Sequence, residues 1–305
     1  MTFSFMIAKV NTIYMKMSKF LFRYLFILFI IGCSSDDASP VIEQETGLDP
    51  LEYVEELNIS YGNDSDQKFD LYLPAGRSSE TKTIILVHGG GWTAGDKSDM
   101  DPFKDLLRLE LPNLAIANIN YRLADENTSP FPMQLDDIST VVEFLNARQV
   151  QYSIGQDIGF VGTSAGGHLS LLWSYAFDEE QRTKMVCSIV GPTNLADEAY
   201  LNSDNEEIQG YIELFGIDPT TEFLQEVSPL HRVTADAPPT ILFYGGMDPL
   251  IPTSQGIDMS NKLAELNVSY EFTLYPEQGH GWADEDLLDT WVKLKAFTQN
   301  NLLAD

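Results

Sequence analysis

Only two cysteines, four histidines and 18 basic residues occur among the 305 positions of this chain. Cys33 and Cys187 are far apart and neither belongs to a C-x-x-C pair, so neither a disulfide nor a cysteine-based metal site is expected. The shortage of Lys and Arg, set against 46 Asp and Glu, gives a net charge of -28. A phosphate backbone would meet a field of its own sign over most of such a surface, which argues against nucleic acid as a partner. Beyond the N-terminal region no run of about twenty apolar residues occurs, so no transmembrane helix is expected there. Repeats and low-complexity tracts are also missing, and a 44% hydrophobic content supports a substantial core.

The N-terminal segment has the character of an address. Lys16 and Lys19 precede Phe20 to Ile31, which is apolar except for Arg23. This is a basic n-region followed by an h-region too short for a comfortable membrane span. Gly32-Cys33 follows and resembles a bacterial lipobox, which implies that residues 1–32 are a signal peptide and that Cys33 is lipidated. A plain signal peptide or an anchor helix is the alternative, and Met15 also fits as an initiator. Residues 33–50 then read as a polar tether, and the location implied is the cell envelope, lipid-anchored at the outer membrane or cell surface of a bacterium. Four of the basic residues lie within 1–32, so the remainder carries 14 basic and 46 acidic residues, a net charge of −32.

From residue 51 to 305, apolar runs of strand length alternate with segments of helical period, the pattern of an α/β domain. Phe69 to Leu73 alternates like an edge strand. Thr83–Val87 and Leu114–Ile119 are nearly continuous apolar runs, as expected of parallel strands buried on both faces. Further strands are expected at 158–161, 185–190, 240–244 and 270–275, with helices at 135–147, 167–176, 255–266 and 284–302. Residues 194–233 break the rhythm and read as a cap-like insertion of short helices.

Gly162-Thr163-Ser164-Ala165-Gly166 follows a strand and precedes a helix, the context in which G-x-S-x-G presents a nucleophile on a sharp turn. Upstream, His88-Gly89-Gly90-Gly91-Trp92 also follows a strand, and its glycines would leave bare amides facing a substrate oxygen. Gly90, Gly91 and the Ala165 N–H are the expected oxyanion donors. A phosphate-binding loop would need the lysine and Ser/Thr of a P-loop, which are absent here. Among His88, His168, His231 and His280, only His280 follows both a serine and a strand-end acid in the chain order Ser…Asp…His. The orienting acid is then Asp248, at the end of the run Thr240–Tyr244. Trp92 and Trp282 flank these motifs and are candidates for substrate contact.

Together with Phe69-Asp70-Leu71-Tyr72-Leu73-Pro74, Gly95-Asp96-Lys97, Asn120-Tyr121-Arg122-Leu123 and Asp136-Asp137, these motifs resemble the BD-FAE-like serine esterases of the α/β-hydrolase superfamily, a branch that includes feruloyl and acetylxylan esterases. The resemblance covers residues 52 to 302. It implies an α/β-hydrolase fold with a mostly parallel central sheet, helices on both faces and a small helical cap. It also implies that Asn120, Tyr121, Arg122 and Asp136 are structural polar contacts, and that neither a metal nor an organic cofactor takes part. The function expected is hydrolysis of carboxylic esters on small molecules or on plant polysaccharide such as xylan. Two alternatives remain open at this level: amide hydrolysis on the same fold, and a surface lipoprotein that binds glycan without turnover.

Overall fold

The computed structural model describes residues 47–216 and 219–304. The expected signal peptide and Cys33 lie outside the described residues. Among the described residues, eight strands form one sheet: β1 (Val54–Ser60), β2 (Lys68–Leu73), β3 (Thr83–Val87), β4 (Ala115–Ile119), β5 (Ile158–Thr163), β6 (Thr183–Ile189), β7 (Thr240–Gly245) and β8 (Tyr270–Tyr275). Their order is β1-β2-β4-β3-β5-β6-β7-β8. β2 runs antiparallel to both neighbours and all later pairings are parallel.

The apolar runs follow from this placement. Every residue of β3, β4 and β7 is buried, because helices cover the sheet and leave few positions for polar residues. β2 is not the edge. Its alternation misleads because Asp70, a polar residue in a buried strand, is neutralised by Lys97 at 3.0 Å and accepts the Asn58 amide at 2.7 Å. The edge on this side is β1, whose exposed Glu55 and whose bulge before Ile59 discourage pairing with another strand.

The covering helices include α1 (Asp101–Glu110), α2 (Met133–Ala147) and α3 (Ala165–Ala176). Four short helices then make up the expected insertion: α4 (Glu198–Leu201), α5 (Glu206–Glu213), α6 (Thr221–Glu226) and α7 (Pro229–Arg232), before α8 (Thr253–Glu265) and α9 (Asp284–Asn301). Asp197, Asn205 and Thr220 each accept a first-turn amide with the side chain, so three of these short helices start where a capping residue stands. The insertion is fastened at its root by buried Gln255 of α8, whose Oε1 accepts the Thr193 and Asn194 amides at 2.8 and 2.7 Å.

The sheet order reverses at β3. The chain moves outward from β3 to β4 and then returns to place β5 on the other side. A crevice opens at the carboxyl ends of strands flanking such a reversal, and the loops after β3 and β5 meet there.

Candidate active site

Ser164 stands between β5 and α3 with φ 51° and ψ −121°, a strained conformation for a residue with a side chain. Its amide donates to Ile189 O at 2.8 Å, which fixes the turn against β6. A Cβ on Gly162 would fall 2.3 Å from Gly166 O, and one on Gly166 would fall 2.2 Å from Val87 O. The two glycines are therefore required by close backbone approach, and the turn they permit lifts Ser164 clear of the sheet.

His280, in the loop after β8, places Nε2 3.0 Å from Ser164 Oγ and Nδ1 2.8 Å from Asp248 Oδ2. A carboxylate only accepts, so Nδ1 carries the ring proton and donates it to Asp248, leaving Nε2 to accept from the Ser164 hydroxyl. Asp248 follows β7 with its side chain fully buried, and its Oδ1 accepts the Leu250 and Ile251 amides at 2.8 and 3.0 Å. His280 is a quarter exposed and lines the pocket beside Ser164.

Beside Ser164, the loop after β3 carries Gly90 at φ 113° and Gly91 at φ 58°. Among the described residues, the amides of Gly90, Gly91 and Ala165 donate to no protein acceptor. His88 does not face the serine. It is fully buried, stacks on Tyr121 at 4.2 Å and donates from Nδ1 to Gly89 O at 2.7 Å, while Tyr121 Oη donates to His88 O at 2.8 Å. It therefore braces the glycine loop, and burial lowers its pKa.

His168 is likewise buried, at 1% exposure. Trp92 Nε1 can only donate, and it donates to His168 Nδ1 at 3.3 Å, so His168 Nε2 carries the proton and donates to Val227 O at 2.8 Å. The imidazole thus joins the glycine loop to the end of α6 in the cap. Loss of solvation pushes its pKa down to about 4. His231 bonds Asn194 Oδ1 at 3.2 Å, on the cap and apart from Ser164.

Two expected contacts need correction. Trp282 lies in the core at 8% exposure, tilted against Tyr275 at 4.7 Å and donating to Thr290 Oγ1 at 2.8 Å. It holds α9 to β8 and does not line the pocket above Ser164; adjacency to His280 in sequence gave no information about direction. The buried partner of Arg122 is Asp137, which receives its Nε at 3.0 Å and its backbone amide at 2.8 Å, whereas Asp136 faces outward. Trp92 does line the pocket, although it is 3% exposed and mostly embedded among cap aromatics. Tyr211 and Ile208 of α5, Leu195, and Ile251 after Asp248 complete walls that are mainly apolar. The sequence does not single out Tyr211 within the insertion, since nothing in the insertion's periodicity says which face meets the serine.

A serine on a strand-to-helix turn, an imidazole and carboxylate after later strands, and free amides after β3 are the arrangement of the α/β-hydrolase fold. Residues 69–263 match the BD-FAE family model, and the chain belongs to that family. It is 28% identical over 255 residues to Esterase LipC of Mycobacterium tuberculosis, a match covering 78% of this chain and 61% of LipC. Carboxylesterase NlhH of the same species is 23% identical, with 76% of each chain covered. Among solved structures, a truncated carbohydrate esterase from gut microbiota superposes with a TM-score of 0.67 at 20% identity, covering 83% of this chain and 99% of the other. An acetyl ester-xyloside bifunctional hydrolase from Caldicellulosiruptor lactoaceticus gives 0.64 at 20% identity, covering 79% and 94%. At these identities the superpositions speak to the fold.

Proposed function

We propose that this protein hydrolyses carboxylic esters with Ser164 as nucleophile, His280 as base and Asp248 as the orienting acid. The observation that carries the reading is the unbroken hydrogen-bonded line from Asp248 through both nitrogens of His280 to Ser164 Oγ. Esterases among the sequence relatives support the same class. Ser164 Oγ attacks the ester carbonyl carbon as its proton passes to His280 Nε2, and Asp248 stabilises the resulting imidazolium. The carbonyl oxygen becomes an oxyanion, for which the Gly90, Gly91 and Ala165 amides are the available donors. Collapse expels the alcohol, which takes the proton from His280. Water then repeats the sequence on the acyl-enzyme and releases a carboxylic acid.

The substrate proposed is an acyl ester of a neutral plant polysaccharide such as acetylated or feruloylated xylan. A carbohydrate esterase and an acetyl ester-xyloside hydrolase among the structural neighbours support that choice. Anchoring through Cys33 at the cell surface belongs to the same proposal, since it would bring the enzyme to a polymer outside the cell. The test is acid release from acetylated and feruloylated xylan and from p-nitrophenyl acetate, by the wild type and by Ser164→Ala. Loss of the nucleophile should lower kcat by about 10⁶. Turnover of the small ester alone would leave the esterase and remove the polysaccharide; activity surviving in Ser164→Ala would remove the serine mechanism.

A further inference from the structure

Tyr211 belongs to α5 in the cap, yet its ring rests on the glycine loop beside Ser164. A Cβ built on Gly91 would fall 2.4 Å from Tyr211 Cε1 and 3.0 Å from its Oη, so the ring edge occupies the space directly above this residue. The ring meets Trp92 edge to face at 5.8 Å, and Trp92 in turn meets Phe215 and His168, each at 5.3 Å. Tyr211 Oη donates to Glu207 Oε1 at 2.8 Å, one turn back on the same helix. The side chain is thus braced from the cap and from the loop, and it forms one wall of the pocket that also contains Ser164 and His280.

The pocket encloses about 370 Å³, counting the part open to solvent. Ile208 and Ile212, on the same helix as Tyr211, and Ile251 after Asp248 also line the pocket and make it apolar. A polysaccharide chain cannot enter so small a space beneath the cap. On the reading of the protein as a serine esterase, the part of the substrate that does enter is the acyl group, which stays on Ser164 after the alcohol has left. From these observations we propose that the Tyr211 ring sets the length of acyl chain the enzyme accepts, by closing the pocket over Gly91. The ring does this by its volume, so the hydroxyl serves only to hold it in place through Glu207.

Each methylene admitted to or refused by an apolar pocket changes selectivity by roughly 10- to 200-fold. The experiment measures kcat/KM for p-nitrophenyl acetate, butyrate and hexanoate with the wild type, Tyr211→Ala, Tyr211→Phe and Tyr211→Trp. In Tyr211→Ala the hexanoate-to-acetate ratio should rise at least about tenfold, as one to two methylenes gain room. Tyr211→Phe, which keeps the ring, should hold the wild-type ratio within about threefold, and the larger ring of Tyr211→Trp should lower the butyrate-to-acetate ratio. Ratios measured within one variant are insensitive to the fraction of folded enzyme, and two variants are expected to move in opposite directions. Ratios that stay constant in both Tyr211→Ala and Tyr211→Trp overturn the proposal. So does a shift confined to a series of acetate esters of lengthening alcohols, which would give the pocket to the other arm of the ester. A wild type inert toward all three esters would instead be a failure of the esterase reading.

Discussion

Replacing Asp248 by asparagine should disable the base without disturbing the fold. The carboxylate has two tasks: Oδ1 accepts the amides of Leu250 and Ile251, and Oδ2 accepts Nδ1–H of His280. Asparagine has the same shape but only one acceptor oxygen. Two backbone donors outnumber one imidazole donor, so the oxygen stays with the amides and the NH₂ group turns toward His280. A donor facing Nδ1 is accommodated only when Nδ1 is unprotonated, which shifts the ring proton to Nε2. In that tautomer Nε2–H faces Ser164 Oγ and cannot take its proton. A wrong tautomer of this kind lowers kcat by about 10⁴, which corresponds to about 5.4 kcal/mol of barrier. KM for a small ester should change little, because the Asp248 side chain is fully buried and out of a substrate's reach. Initial rates on p-nitrophenyl acetate and a thermal melt on the same preparation decide the matter. Both backbone hydrogen bonds survive, so the melting midpoint should move by only a few degrees. A folded Asp248→Asn enzyme that keeps more than a tenth of wild-type kcat would refute this account of Asp248.

His168 should make stability fall with acid. Burial holds its pKa at about 4 against 6.5 unperturbed, so between those values the unfolded chain binds the proton and the folded chain does not. The stability associated with this group is complete above about pH 6.5 and drains as pH falls toward 4, by about 3 kcal/mol in total. Glutamine can both accept from Trp92 and donate to the Val227 carbonyl, so denaturant melts of His168→Gln across that range should show a shallower decline; equal slopes would exclude His168 as the source. In Gly90→Ala the new Cβ would lie 2.1 Å from Ala94 O at a φ of 113°. Strain of that kind costs about 1–3 kcal/mol, and displacement of an oxyanion donor should lower kcat by about 10²–10³; kcat within threefold of wild type counts against a role for this loop. Cys33→Ser should abolish labelling with radioactive palmitate and the partition of the protein into detergent, and labelling that persists would place the anchor elsewhere.

How far the sequence could be read depended on whether a residue's role was local. Ser164 was legible because the turn that presents it needs glycine at 162 and 166, and backbone contacts of 2.2–2.3 Å now show why. His280 and Asp248 were legible through chain order, since parallel strands deliver their C-terminal loops to one edge in a sequence that topology restricts. The buried strands β3, β4 and β7 declared themselves by nearly continuous apolar runs. β1 did not, because an edge strand exposes Glu55, Leu57 and Asn58 and keeps little of its pattern. Roles set by packing across the molecule were the least visible. Trp282 and Trp92 look alike in sequence, each beside a functional motif, yet one is tied into the core by Thr290 and the other is turned toward the cap by His168. Nor does the sequence show that a tyrosine on an inserted helix would sit on Gly91. The elements shared across this fold are therefore the ones written in local pattern, and the contacts between the cap and the glycine loop, where the proposed selectivity lies, are not. His168 joins both sides of that boundary: it sits on the helix that begins beside Ser164, and its two nitrogens hold Trp92 and the cap backbone. A substitution that alters the cap's sequence while keeping these two bonds should change selectivity before it changes catalysis.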